Sequence, residues 1–118
     1  MLATGTVDVI GVDPGRAEGI TGFKRVAERC EFHRRQVNAH AWSSAIVTAA
    51  SLALSFNSPA AKLFELKPLR NPMQHDLVTR PFEHRDGWMA PPEGPGLGIE
   101  VIEEVVDGYR SEKVLGRT

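Results

Sequence analysis

Apolar residues in the first half of the chain fall into short runs separated by amphipathic stretches. Val7-Asp8-Val9-Ile10-Gly11-Val12 is nearly continuous apolar, as in a strand covered on both faces, with Asp8 near its entry. Ile20, Phe23, Val26, Ala27 and Cys30 then recur at spacings of three and four, while Lys24, Arg25, Glu28 and Arg29 take the wet side. That periodicity predicts a helix from about Thr21 to His33. Arg34-Arg35-Gln36 forms the turn into a second strand, Val37-Asn38-Ala39. The alanine-rich stretch from roughly Ser44 to Ser55 predicts a second helix, capped by a serine and stopped by Asn57-Ser58-Pro59. A third strand covers about Lys62 to Leu66, and Pro68 ends it because proline offers no ladder donor. Strand–helix–strand–helix–strand is the order of parallel βα units in an α/β fold.

Beyond Pro68 the pattern breaks. Six of the eight prolines lie between Pro68 and Pro95, which predicts an extended, irregular segment. Turns are expected at Arg85-Asp86-Gly87 and Pro95-Gly96-Leu97-Gly98. Val105, Val106 and Tyr109 supply the apolar face of one last helix, from Glu103 to Lys113. Residues 1–67 therefore read as three βα units, and residues 68–118 as a proline-rich tail with a last helix of the same domain.

Three ionisable residues stand directly after the three strands: Asp13, His40 and Glu65. They are separated by 27 and 25 residues, close to the roughly 30 residues per unit of a (β/α)₈ barrel. In a parallel sheet the C-terminal strand tips share one face, and ligands bind there. Each residue alone has a bland reading. Aspartate before Pro-Gly is commonly a turn residue, and His33, His75 and His84 read as surface or solvated histidines. It is the register of all three that points to chemistry.

Composition trims the list of functions. The 118 residues are 42% hydrophobic and 25% charged, an ordinary profile for one folded domain. A net charge of −1 gives no electrostatic reason to expect nucleic acid or an anionic membrane as partner. A single cysteine, Cys30, forms no internal disulfide and reads as buried on the core stripe. The longest mostly apolar run, Ala45 to Phe56, falls short of the roughly 20 residues that span a bilayer. No secretory signal stands at the N-terminus, so a soluble cytoplasmic protein is expected. Gly11, Gly15 and Gly19 do not match the dinucleotide fingerprint, and there is no phosphate loop.

The residues also carry a resemblance. The stretch from Val12 to Phe23, with Asp13-Pro14-Gly15, resembles the sixth-strand segment of the enolase superfamily, in its mandelate racemase and muconate-lactonising branch. Val37-Asn38-Ala39-His40 resembles the seventh strand of the mandelate racemase subgroup, and Leu63-Phe64-Glu65 the eighth. Asp86-Gly87-Trp88, Pro91-Pro92 and the run from Pro95 to Val101 resemble the C-terminal tail of the same proteins. The family often carries glycine where Glu18 stands, and an acidic residue where Ile102 stands. Its lysine motif, its three metal-binding carboxylates and its capping domain have no counterpart in this chain.

The resemblance implies the C-terminal part of a TIM (β/α)₈ barrel, strands six to eight, followed by an irregular tail. It implies a magnesium-dependent racemase or acid-sugar dehydratase acting on a small carboxylate, with this chain inactive alone. Asp13 and His40 would form the acid–base dyad: a carboxylate accepting the Nδ1 proton fixes the tautomer and leaves Nε2 facing the substrate. Glu65 would share the charge that builds on the enolic oxygen. Asn38 and Trp42 fall in the substrate pocket, although an aromatic at position 42 equally suits packing. Magnesium belongs to the full-length family and is not expected on this chain alone. A site built from His40, Glu65, His75 and His84 has no ligand spacing of a known kind. A different class of reading is a non-catalytic truncated protein that folds by self-association. A homo-oligomer is expected on either reading, because open parallel edges leave an uncovered face bearing Val9 or Ile10 and Val37.

Overall fold

The computed structural model describes residue 2 and residues 4–110. Strand β1 (Val9–Val12) is followed by helix α1 (Gly19–Phe32), strand β2 (Gln36–His40), helix α2 (Ala45–Phe56) and strand β3 (Ala61–Glu65). The helix α1 begins at Gly19, and its N-cap, Glu18, is left-handed at φ 58° and ψ 30°. Only three of the five stripe residues are buried: Phe23, Ala27 and Cys30. Ile20 is more than half exposed. Gly22 lies where α1 crosses the loop it has just left. A Cβ there would sit 1.7 Å from the carbonyl oxygen of Ala17, so only glycine permits the approach. The cap of α2 is Ser44, whose side chain accepts from the Val47 amide at 3.4 Å.

The strands form one parallel sheet in the order β1–β2–β3. Val9 to Val12 pair in register with Gln36 to Ala39. On the other side Val37 pairs with Ala61 but Ala39 pairs with Phe64, so Lys62 and Leu63 together face the single residue Asn38. This is a bulge in β3. Both helices pack on one face of the sheet. Val12, Val37 and Ala39 meet Phe23, Ala27, Cys30 and Leu54 in the core, with Ile10 and Phe64 partly buried beside them. Val37 is therefore covered, contrary to the sequence expectation: side chains alternate along a strand, and its parity puts it on the helix side. The uncovered face carries Val9, 48% exposed, and Leu63, 72% exposed.

The tail is not wholly irregular. Pro72–His75 forms a short helix, α3, with Asn71 as its cap: the Asn71 side chain accepts from the Met73 amide, and proline stands in the first turn. His75 is only half exposed, its Nδ1 3.0 Å from the Asn71 carbonyl, and so is not the freely solvated group expected. Leu77 and Val78 are buried, and Val78 bridges antiparallel to Val101. Asp86 and Gly87 both have positive φ, and the Arg85 and Trp88 backbones exchange hydrogen bonds of 2.9 Å, closing the expected tight turn. The Gly98 amide donates to the Pro95 carbonyl in the other. Helix α4 covers Glu103–Gly108 and buries none of its residues; the end of the helix expected up to Lys113 lies outside the described residues.

Candidate active site at the strand tips

Asp13 and His40 sit at the C-terminal ends of neighbouring parallel strands, and the packing of α1 and α2 beneath them fixes those ends. The two oxygens of Asp13 have separate partners. Oδ1 accepts from the Gly15 amide at 2.8 Å, an Asx turn that the Asp-Pro-Gly sequence favours. Oδ2 lies 3.1 Å from His40 Nδ1. A carboxylate only accepts, so Nδ1 carries the proton and Nε2 is left free. The Asp13 side chain is 11% exposed, whereas the His40 ring is 38% exposed at the open end of the sheet. Arg16 stands 3.9 Å from the same carboxylate but is itself almost fully exposed, so it contributes little.

Glu65 is opposite His40 in the β2–β3 register. Its Oε2 receives a long hydrogen bond, 3.5 Å, from Asn38 Nδ2, while Asn38 Oδ1 is buried without a partner among the described residues. The indole of Trp42 stacks on the His40 ring, with centroids 5.6 Å apart and planes at 27°. All five residues singled out from the sequence therefore gather around one strand-tip region. His33, His75 and His84 take no part in the contacts made by Asp13, His40 or Glu65.

Sequence reasoning missed several neighbours. Lys67, two residues past Glu65, places its Nζ 3.4 Å from the Trp42 carbonyl. Thr48, Ser51 and Gln74, all fully or nearly fully buried, converge under the tip of β2. Thr48 and Ser51 give a faint signal, as polar interruptions three apart on an otherwise apolar helix face; Gln74 gives none. An open apolar groove of about 560 Å³, lined by Leu52, Phe56, Leu63, Phe64, Trp88 and Met89 among others, lies along β3 and away from the dyad.

Among the described residues no three His, Cys, Asp or Glu side chains stand together as a metal site. Magnesium requires a near-octahedral set of oxygens. Here one Asp13 oxygen is held by an amide and the other by an imidazole, which leaves Glu65 as the one carboxylate between them and Asn38. No described helix is long and apolar enough to cross a membrane.

Comparison with known proteins follows the same lines. The family described as enolase C-terminal domain-like matches residues 1–105. A D-gluconate dehydratase from Thermoproteus tenax is 32% identical over 94% of this chain and 22% of its own length. An N-succinylamino acid racemase from Amycolatopsis sp is 29% identical over 96% of this chain and 31% of its own. The crystal structure of an enolase superfamily member from Polaromonas sp. JS666 superimposes with a TM-score of 0.85 at 34% identity, covering 94% of this chain and 30% of that one. This chain thus spans between about a fifth and a third of the length of the curated relatives it matches.

Proposed function

Because the chain belongs to the enolase C-terminal domain-like family, whose members among its relatives are dehydratases and racemases, we propose that it carries the acid–base side of an α-proton-abstraction site. The observation that supports this most is the 3.1 Å contact between His40 Nδ1 and Asp13 Oδ2, with Nε2 free at an open strand end. In this reading β1, β2 and β3 are the sixth, seventh and eighth strands of a (β/α)₈ barrel. His40 Nε2 takes the proton from the carbon beside the carboxylate of a small 2-hydroxy or sugar acid, or returns it to a leaving hydroxyl. Asp13 holds the ring and its tautomer through the transfer. Glu65, as the carboxylic acid, would donate to the substrate carboxylate oxygen on which charge builds, while Asn38 Nδ2 donates to its Oε2. Trp42 limits the swing of the imidazole. Any divalent ion that the reaction requires is held by residues outside this chain.

A second reading is a non-catalytic truncated protein that folds by self-association. It is favoured by the observation that, among the described residues, no three His, Cys, Asp or Glu side chains stand together as a metal site. Deuterium exchange into 2-hydroxy and sugar acids separates the two. The chain alone should give none. Mixed with the remaining part of a relative such as the dehydratase, it should give exchange that His40→Gln abolishes. A complemented assembly that exchanges equally well with His40→Gln would remove the dyad from the chemistry.

A further inference from the structure

Thr48, Ser51 and Gln74 are the buried polar residues of the described chain, and they form one system. Gln74 Nε2 on α3 donates to Thr48 Oγ1 on α2 at 2.6 Å. With its oxygen so occupied, the Thr48 hydroxyl gives its own proton to the carbonyl of Ala41, at 3.0 Å. Ser51, one turn further along α2, aims its hydroxyl at the carbonyl of His40, at 3.4 Å. Burying three polar side chains in a small core costs free energy, the more so because Gln74 Oε1 is itself buried without a partner among the described residues. An apolar stripe on α2 would pack as well against Ala39 and Ala41. Ser51 is instead aimed at the peptide directly after His40, and Thr48 at the next one, between Ala41 and Trp42.

We propose that Thr48 and Gln74 are positioning residues for the His40–Asp13 pair: a brace running from the tail through α2 fixes the Ala41–Trp42 peptide just past the end of β2, and through it the His40 backbone, and so holds Nδ1 on the Asp13 carboxylate. The inference rests on the dyad reading above. It adds that the proline-rich tail takes part in the site through α3, although α3 makes no hydrogen bond to Asp13 or His40.

The test is nitrogen NMR of the His40 ring in the full chain, at a pH where free imidazole is neutral. The wild type should show the Nδ1–H form in roughly tenfold excess, the preference that one hydrogen bond of ordinary net strength sets. In Thr48→Val, which keeps the shape and loses the hydroxyl, the two nitrogen shifts should converge as the forms approach parity. Thr48→Ser, which restores the hydroxyl, should recover the wild-type pattern. Should Thr48→Val not fold, Gln74→Met carries the test, since it removes the brace and leaves Thr48 in place. A folded Thr48→Val or Gln74→Met with an unchanged tautomer ratio, and only a lower melting temperature, would overturn the proposal and reduce the network to core filling. A wild-type ring already divided between tautomers would overturn the dyad reading itself, a distinct failure.

Discussion

Glu18 is held at a backbone conformation that costs a residue with a Cβ about 1–2 kcal/mol. Its ion pair with Arg25 is exposed on both sides, so it offsets little of this. Glu18→Gly should therefore raise stability by about 0.5 kcal/mol after the entropic cost of glycine. A lower urea midpoint for the variant would contradict that. Cys30 is fully buried, and burial pushes its thiol above the ordinary 9.0. The folded state keeps this proton to higher pH than the unfolded chain does. Its contribution is thus complete below 9.0 and is lost as pH rises through the folded value. The alkaline fall in unfolding free energy should be shallower in Cys30→Ala, and equal slopes would show that the thiol does not matter. At this scale the sequence was readable where chemistry coincides with periodicity. Asp13, His40 and Glu65 each close an apolar run, so their shared position followed from the alternation alone. Gln74 follows Pro72 in a segment with no period, and only its contact with α2 gives it a role.

Elements were legible to the extent that their own residues decide them. Helix α1 carries an apolar stripe, and α2 an alanine-rich run between a serine cap and Asn57-Ser58-Pro59; these signals place both within two residues of their observed ends. The helix α3 has four residues and no stripe; it exists because Asn71 caps it and α2 covers it. The parity of Val37 depends on where the sheet lies, which local pattern does not state. Gly22 is the clearest test of how α1 holds the Asp13 loop. Gly22→Ala drives a methyl into the Ala17 carbonyl, so it should cost about 1–3 kcal/mol or more. It should also disturb the His40 ring signals, since the same loop carries Asp13. A near-neutral effect would mean the helix slides freely over the loop. Ser44→Ala removes the cap of α2 and should lower the unfolding free energy by about 1 kcal/mol, seen as a lower urea midpoint.

The molecule exposes 8615 Å². A compact monomer of 12.9 kDa would expose about 6,300 Å². Its radius of gyration, 16.1 Å, also exceeds the roughly 13.5 Å of a compact domain of this length. The surplus area is larger than a standard interface buries, and the uncovered sheet face with Val9 and Leu63 is part of it. Light scattering of the purified chain should accordingly give at least a dimer at micromolar concentration. Val9→Lys, on the open face at the β1 edge, should shift the mass towards the single-chain 12.9 kDa. A wild-type mass of one chain at every concentration, with a cooperative melt, would show that the fold closes on itself.

The bulge in β3 bears on how far such assembly runs. With Lys62 and Leu63 both opposite Asn38, the outer edge of β3 is regular only at Phe64 and Glu65, too short to template another strand. The outer edge of β1 is regular over its full length. Endless growth of a sheet requires each molecule to offer two competent edges, and the described strands offer one. Pairing through β1 across a twofold axis uses that edge up on both partners. An assembly formed through that edge would close as a pair instead of extending as a fibre.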